Sequence, residues 1–381
     1  MSALKTARPL RGAVIGYGFI SSQGHVPAYL ERARTLGDVE IVAVADICEA
    51  RREQAKAALP DATLYSDAKA LIDAEWRHLD FVDICTPPCD HALIAHLALE
   101  RGLHVLCEKP LTCTLEEASA LLQHATEARR VIFPCHNYKH APVVKAIREI
   151  IASGKIGKVR SITLNTFRNT HAKGVTEWNT HWRRHQKWSG GGIAMDHGSH
   201  SFYLTFDWMG CYPTAVTAKM SNLEPHKYDT EDNFSATLTF PNGLAHAQLT
   251  WTAGVRKVIY SVQGDQGAIT VDDDELQLAV MEKTDGPDVA QGAVKWTVEK
   301  RSISSDWMDA SHVSWFNSLF TQFATAMAEG DFVGKEAREA FLCVQLINNA
   351  YRSAQDGCRE LPLGEDVPLV RPLAARRVGV R

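Results

Sequence analysis

Positive charge is not in surplus in this chain: 41 Lys and Arg stand against 45 Asp and Glu, for a net charge of −4. Proteins that compete for phosphate backbones or an anionic membrane face need the reverse, so nucleic acid and membranes are excluded as expected partners. Long apolar runs are missing too. No stretch reaches the roughly 18 residues of a membrane span, and Met1 to Arg11 holds no apolar segment suited to a signal peptide; a cytoplasmic location is the expectation. The cysteines lack the even count and regular spacing of a disulfide framework: there are nine, scattered and mostly within apolar runs, and they read as reduced core thiols. Internal repeats and low-complexity segments are absent as well. What is there, 381 residues with 45% hydrophobic and 23% charged content, suffices for about two domains with sizeable cores.

The two halves have different rhythms. From Arg11 to about Gly154, short apolar runs (Gly12–Ile15, Glu40–Ala45, Phe81–Cys85, His104–Cys107, Val131–Cys135) alternate with amphipathic stretches such as Cys48–Leu59, His91–Arg101 and Leu115–Arg129. This is the pattern of βαβ units around a parallel sheet. After Gly154 the period drops to two over Val159–Phe167, Thr214–Met220, Phe234–Phe240, Ala245–Thr252, Val258–Gln263 and Ala268–Val271. Pro241-Asn242-Gly243 and Gly264-Asp265-Gln266-Gly267 supply hairpin turns. The expected fold is thus α/β followed by α+β: a doubly wound parallel sheet over residues 1–136, then a mostly antiparallel sheet over 137–333. A helical segment from Lys335 to Ala354 and a basic end, Arg371–Arg381, make up 334–381, expected to pack back on the first domain.

Gly16-Tyr17-Gly18 directly follows an apolar strand and precedes Phe19 and Ile20 at a helix start, with Ser21 where a third glycine often stands. Such a turn lets backbone amides approach a pyrophosphate; an ordinary strand-to-helix turn looks the same. Asp46, ending the second strand, supplies the carboxylate that accepts ribose hydroxyls and disfavours a 2′-phosphate. The expected cofactor is therefore NAD, with NADP kept open by Arg51 and Arg52. Later strand ends carry Thr86-Pro87-Pro88-Cys89-Asp90-His91, where Asp90 is placed to cap a helix, and Glu108-Lys109-Pro110, where a simple surface ion pair is the competing reading.

These pieces, taken in order with Ser153-Gly154-Lys155-Ile156-Gly157, Gly190-Gly191-Gly192 with Asp196 and His200, and Ala350-Tyr351-Arg352-Ser353, resemble the glucose-fructose oxidoreductase, inositol 2-dehydrogenase and rhizopine-catabolism (Gfo/Idh/MocA) family over nearly the whole chain. The resemblance implies a Rossmann domain, a second domain with a large open sheet, and a homodimer or homotetramer built through that sheet. It implies cofactor binding by Gly16, Gly18, Phe19, Ile20, Asp46, Thr86, Pro87, His91, Glu108 and Lys109. It also implies a catalytic Lys109 with Asp196 and His200 as an acid-base pair, and the four-residue spacing of those two puts them on one helix face.

The expected reaction is oxidation of a secondary alcohol on a sugar, sugar derivative or cyclitol. His200 takes the hydroxyl proton, Lys109 stabilises the alkoxide, and Asp196 orients His200 or holds a hydroxyl. Tyr138, Arg168, Trp178, Trp182 and Arg183 offer aromatic faces and hydrogen-bond donors for a polyhydroxylated ring, or else pack the domain interface. No metal is expected: a zinc site from His181, His185, Asp196, His197 and His200 would repel a protonated Lys109. Two other readings share the same residues. One is an NAD-dependent enzyme that cleaves glycosides by transient ring oxidation; the other is a non-catalytic NAD-binding sensor.

Overall fold

The computed structural model describes residues 8–282, 295–305, 307 and 311–364; the Arg371–Arg381 segment lies outside them. The first part alternates strand and helix: β1 (Leu10–Ile15), α1 (Val26–Thr35), β2 (Val39–Ala45), α2 (Glu49–Ala58), β3 (Thr63–Tyr65), α3 (Ala68–Glu75), β4 (Phe81–Ile84), α4 (His91–Glu100), β5 (His104–Cys107), α5 (Leu115–Ala128) and β6 (Ile132–Pro134). Its six strands form one parallel sheet in the order β3-β2-β1-β4-β5-β6. Strand order reverses between β1 and β4, and this opens a crevice beyond their carboxyl ends.

The central strands are mostly apolar because helices cover both faces; all four residues of β4 are buried, the one charged residue among them being Asp83. Local signals set several helix ends. Thr114 and Glu117 form a reciprocal capping box on α5, and Asp67 accepts the Ala70 N–H at 2.8 Å to start α3. Asp90, expected to cap α4, occupies the N-cap position but accepts no cap hydrogen bond. The sequence pattern does not announce β3 or α3, since a three-residue strand is too short to show a period.

The second part continues with α6 (Pro142–Ala152), β7 (Val159–Phe167), α7 (Gln186–Ser189), α8 (Ile193–Met209), β8 (Ala215–Ser221), β9 (Asn233–Phe240), β10 (Gly243–Thr250), β11 (Lys257–Gly264), β12 (Gly267–Asp272), β13 (Glu275–Met281), β14 (Trp296–Ser302), α9 (Val313–Glu329), α10 (Lys335–Gln355) and β15 (Leu361–Pro362). Nine strands make one sheet in the order β14-β13-β12-β11-β7-β10-β9-β8-β15. Every neighbouring pair is antiparallel except β7 with β10, and both expected hairpins form, β9–β10 and β11–β12. The alternation is physical. Ile162 and Leu164 of β7 are buried in one core with Tyr203 and Phe202 of α8, while Ser161, Thr163 and Asn165 point to the other, half-exposed face.

The last two helices join the halves. On α9, Phe320 and Phe323 pack into the core of the first sheet with Phe81 and Tyr29, contributing about 1.5–3 kcal/mol each by area burial. On α10, Ala337, Ala340, Phe341 and Val344 belong to the first sheet's core, while Leu342, Cys343, Leu346 and Ile347 belong to the second's. One helix therefore fixes the angle between the sheets. No helix among the described residues is long and apolar enough to cross a membrane.

Candidate active site

Both halves line a single cleft of about 960 Å³, at the upper end of the range of small-molecule sites. At its floor, Gly16 turns with φ +92°, and a Cβ there would lie 2.9 Å from the backbone of Cys85 and Thr86. Gly18 meets nothing within 4 Å, so it leaves the cleft side of the turn open. Asp46 is aimed by two backbone amides: Tyr17 N–H donates to Oδ2 at 2.7 Å and Cys48 N–H to Oδ1 at 2.8 Å. A bare turn and an oriented carboxylate at adjacent strand ends are what a dinucleotide's pyrophosphate and ribose require. Phe19, half-exposed at 50%, Ile20, Thr86 and Pro87 complete this wall. Arg51 is drawn beneath the turn, where it donates to the carbonyls of Tyr17 (2.7 Å) and Gly18 (3.3 Å). Arg52 donates to the Asp46 carbonyl at 2.8 Å, so the backbone already holds both arginines.

His91 differs from its expected place. It is fully buried, with Nδ1 2.9 Å from the Pro110 carbonyl and Nε2 2.9 Å from the Thr86 carbonyl, and is not among the cleft-lining residues. Its ring ties together the loops after β4 and β5, so it supports the cofactor wall from behind. Glu108 lines the cleft, but its carboxylate turns inward: Oε1 lies 3.0 Å from His25 Nε2, whose Nδ1 lies 2.7 Å from Asp83 Oδ2. Burial alone would lower the His25 pKa; Asp83, chiefly, outweighs it and holds the pKa well above the usual value, giving a buried imidazolium between two carboxylates. The surface ion pair between Glu108 and Lys109 does not form, because the two side chains face opposite ways.

Lys109 instead reaches across the cleft to α8. Its Nζ donates to the Asp196 carbonyl at 2.7 Å and to Oδ1 at 3.2 Å. Arg183 Nε lies 3.3 Å from the same Oδ1, and His197 Nδ1 lies 3.1 Å from Oδ2. Burial would raise the Asp196 pKa, but Lys109, then Arg183 and His197, hold it well below the ordinary value. Asp196 is therefore an ionised hub for cations and makes no bond to His200, a correction to its expected role in orienting that ring. Tyr203, one helical turn on, takes that role: its hydroxyl is 2.6 Å from His200 Nδ1 and accepts the Tyr138 N–H at 3.2 Å. Tyr138 stacks on the His200 ring at 3.9 Å. Burial first, then the charges of Lys109 and His197, keep the His200 pKa well below its usual value, so the ring is neutral at neutral pH.

The glycine run sets where α8 begins. A Cβ on Gly191 would lie 1.9 Å from the Tyr351 hydroxyl, and one on Gly192 would lie 1.9 Å from the Glu231 carbonyl oxygen. Glu231 accepts the N–H groups of Gly192 and Ala194 at 2.9 Å each, and the Tyr351 hydroxyl at 2.9 Å. A carboxylate thus caps the helix from the loop before β9. Arg168, Trp178, Trp182 and Arg183 all line the cleft, with the Arg183 guanidinium 4.1 Å over the Trp182 ring. His181 faces His171 at 2.9 Å. Sequence reasoning missed His25, Tyr203, Glu231 and Arg256, because each acquires its role from a partner distant in the chain or on an unremarked helix face. Tyr203 alone left a trace, three residues after His200 on the same face.

A family profile described as an oxidoreductase family with an NAD-binding Rossmann fold matches residues 10–136, and the GFO/IDH/MocA C-terminal domain matches residues 144–270. The chain belongs to the Gfo/Idh/MocA oxidoreductases. The two matches cover about two thirds of it. Among similar curated proteins, the D-glucoside 3-dehydrogenase of Escherichia coli is 28% identical over 64% of this chain and 70% of its own length. The scyllo-inositol 2-dehydrogenase (NADP(+)) of Bacillus subtilis is 23% identical over 91% of this chain and 94% of its own. Among solved structures, levoglucosan dehydrogenase in complex with NADH superposes with a TM-score of 0.78 at 22% identity, covering 94% of this chain and all of the other; at that identity the likeness speaks for the fold.

Proposed function

We propose that this Gfo/Idh/MocA oxidoreductase oxidises a secondary alcohol of a sugar, sugar derivative or cyclitol, using NAD. The observation that carries the reading is the meeting of Lys109, from the loop after β5, with Asp196 and His200 on α8, where the cofactor wall ends. The names of the relatives, dehydrogenases of sugars and inositol, agree with that substrate class. Gly16, Gly18, Phe19, Ile20, Asp46, Thr86 and Pro87 would hold the dinucleotide, which when bound accepts a hydride at its nicotinamide ring.

This chain's own residues manage the proton and the charge. In the tautomer suited to catalysis, His200 Nδ1–H donates to the Tyr203 oxygen and the Nε2 lone pair faces the cleft, where it takes the hydroxyl proton as the C–H bond breaks. Lys109, with two of its protons directed at Asp196, has a third for the developing alkoxide. Asp196 keeps that ammonium in place, and Arg183 shares the carboxylate. The open face of the nine-stranded sheet is where we place subunit contacts of a homodimer or homotetramer.

The test is an NADH-formation assay at 340 nm over free sugars, inositols and glycosides, with NAD and NADP in parallel. Lys109→Met and His200→Ala should each lower kcat by about 10²-fold or more while NAD binding by calorimetry is kept. Wild-type turnover in either variant would sink the assignment. Release of a chromogenic aglycone without NADH would point to glycoside cleavage instead.

A further inference from the structure

Among the described residues, four arginines are buried: Arg32, Arg51, Arg168 and Arg184. Three have a carboxylate for their charge: Arg32 pairs with Asp38, Arg51 with Glu177 at 3.7 Å, and Arg184 with Asp232 at 3.2 Å. Arg168 has none within 4 Å among the described residues, although it is only 9% exposed. Its Nη1 donates to the backbone carbonyls of Phe167 at 2.9 Å and Lys257 at 3.5 Å, while Nε and Nη2 have no protein acceptor among the described residues. It lines the cleft.

A second guanidinium, Arg256, lines the same end. It too has no carboxylate within 4 Å among the described residues, and its Nη2 donates to the Trp307 carbonyl at 2.6 Å. The Trp307 ring lies 5.2 Å from Tyr138, which stacks on His200, so the pair sits beside the proposed reacting centre. Burial, and next the charge of Arg168, depress the Arg256 pKa, as two like charges facing one space must. A guanidinium stays charged in any protein environment, and burying one, that of Arg168, with no carboxylate beside it among the described residues is costly, while Arg256 is solvent-exposed at the same end of the cleft. The dinucleotide's own phosphates belong at the Gly16–Gly18 turn on the other sheet and do not supply that charge.

We propose that Arg168 and Arg256 form an oxyanion subsite, and that the sugar or cyclitol turned over here carries a carboxylate or phosphate held by these two forks. Planar guanidinium groups match either oxyanion with paired hydrogen bonds. The proposal rests on the hydride-transfer reading for its substrate frame, and the experiment separates the two.

The full chain, saturated with NADH, is titrated by calorimetry with D-glucuronate, D-galacturonate, D-gluconate and D-glucose 6-phosphate. D-glucose, D-galactose and the methyl ester of glucuronate serve as neutral counterparts, and the same compounds are offered with NAD at 340 nm. At least one anionic member should bind tenfold or more tightly than its neutral counterpart. A carboxylate prevailing over the phosphate, or the reverse, assigns the oxyanion. Arg256→Gln and Arg168→Gln should erase that preference, and Arg256→Lys, which keeps the charge but not the fork, should retain part of it; NAD binding reports that the variants are folded. Equal binding of anionic and neutral members, no binding by any member, or a preference that survives Arg256→Gln overturns the proposal. An Arg256-dependent preference with no NADH formed upholds the subsite and sinks the hydride-transfer reading.

Discussion

Replacing His140 with Asn should make the protein less sensitive to acid. His140 is 5% exposed, and its Nδ1 lies 2.8 Å from the Ser318 hydroxyl on α9. Burial first, then the nearby Lys145 cation, with Arg148 and Lys139 adding to it against Glu336, hold its pKa down to about 3. In the unfolded chain the imidazole titrates near 6.5. Above that pH both states are neutral and the contribution to stability is complete. As pH falls from 6.5 toward 3, the unfolded chain binds a proton that the folded protein refuses, and stability is lost. Between pH 6.5 and 5, about 1.5 units at 1.36 kcal/mol per unit come to about 2 kcal/mol. Asn keeps a hydrogen bond to Ser318 but does not titrate. Urea unfolding followed by tryptophan fluorescence at pH 8 and pH 5 should show the wild type losing about 2 kcal/mol more than the variant over that interval. Equal losses would refute the claim that His140 stays neutral in the fold.

Three further outcomes follow from the geometry. Lys139 is 5% exposed and joins Glu336 and Glu339 of α10; Lys139→Met leaves Glu339 only the more distant Lys335 at 3.6 Å and Glu336 only His136, and should cost about 3 kcal/mol. The companion triple change with Glu336→Gln and Glu339→Gln should recover much of that in thermal melts. Glu177, on the loop after β7, receives Gln54 at 3.1 Å and stands 3.7 Å from Arg51, next to the Asp46 wall. Glu177→Gln should therefore move the NADP-to-NAD ratio of kcat/KM upward by roughly two- to fivefold, the scale of an exposed charge contact, and an unchanged ratio would remove Glu177 from cofactor choice. Tyr203→Phe should lower kcat about tenfold or more and displace the pH–rate profile while leaving NAD binding intact; an unmoved profile would show that Tyr203 only fills space.

Much of the fold is legible in the sequence because burial imposes a period. Strands covered on both faces read as apolar runs, and strands covered on one face alternate, so β7 and β9 to β12 lie close to where period two places them. Of the elements not announced, β3, α3, β13 and β14 are short or lie toward sheet edges, where few positions are buried and the pattern has little to record; the long helix α9 is not announced either. The site divides similarly. Glycines at a strand end, a carboxylate after the next strand and Lys109 before Pro110 are local and can be read. His91 is local too, but whether it faces a ligand or a backbone carbonyl is decided by the loop it packs against.

The sequence alone therefore determined the parallel and antiparallel halves and the nucleotide turn, because each depends on neighbours within a few residues, whereas Lys109, Asp196 and His200 stand out together only through the family resemblance. Tertiary structure alone decided which groups share a charge or a proton. It gave Asp196 to Lys109, Arg183 and His197, and His200 to Tyr203. It also brought Arg168 and Arg256 to one end of the cleft without a carboxylate among the described residues. Such pairings depend on distances of a few ångströms between segments tens to hundreds of residues apart, and no period in the chain encodes them.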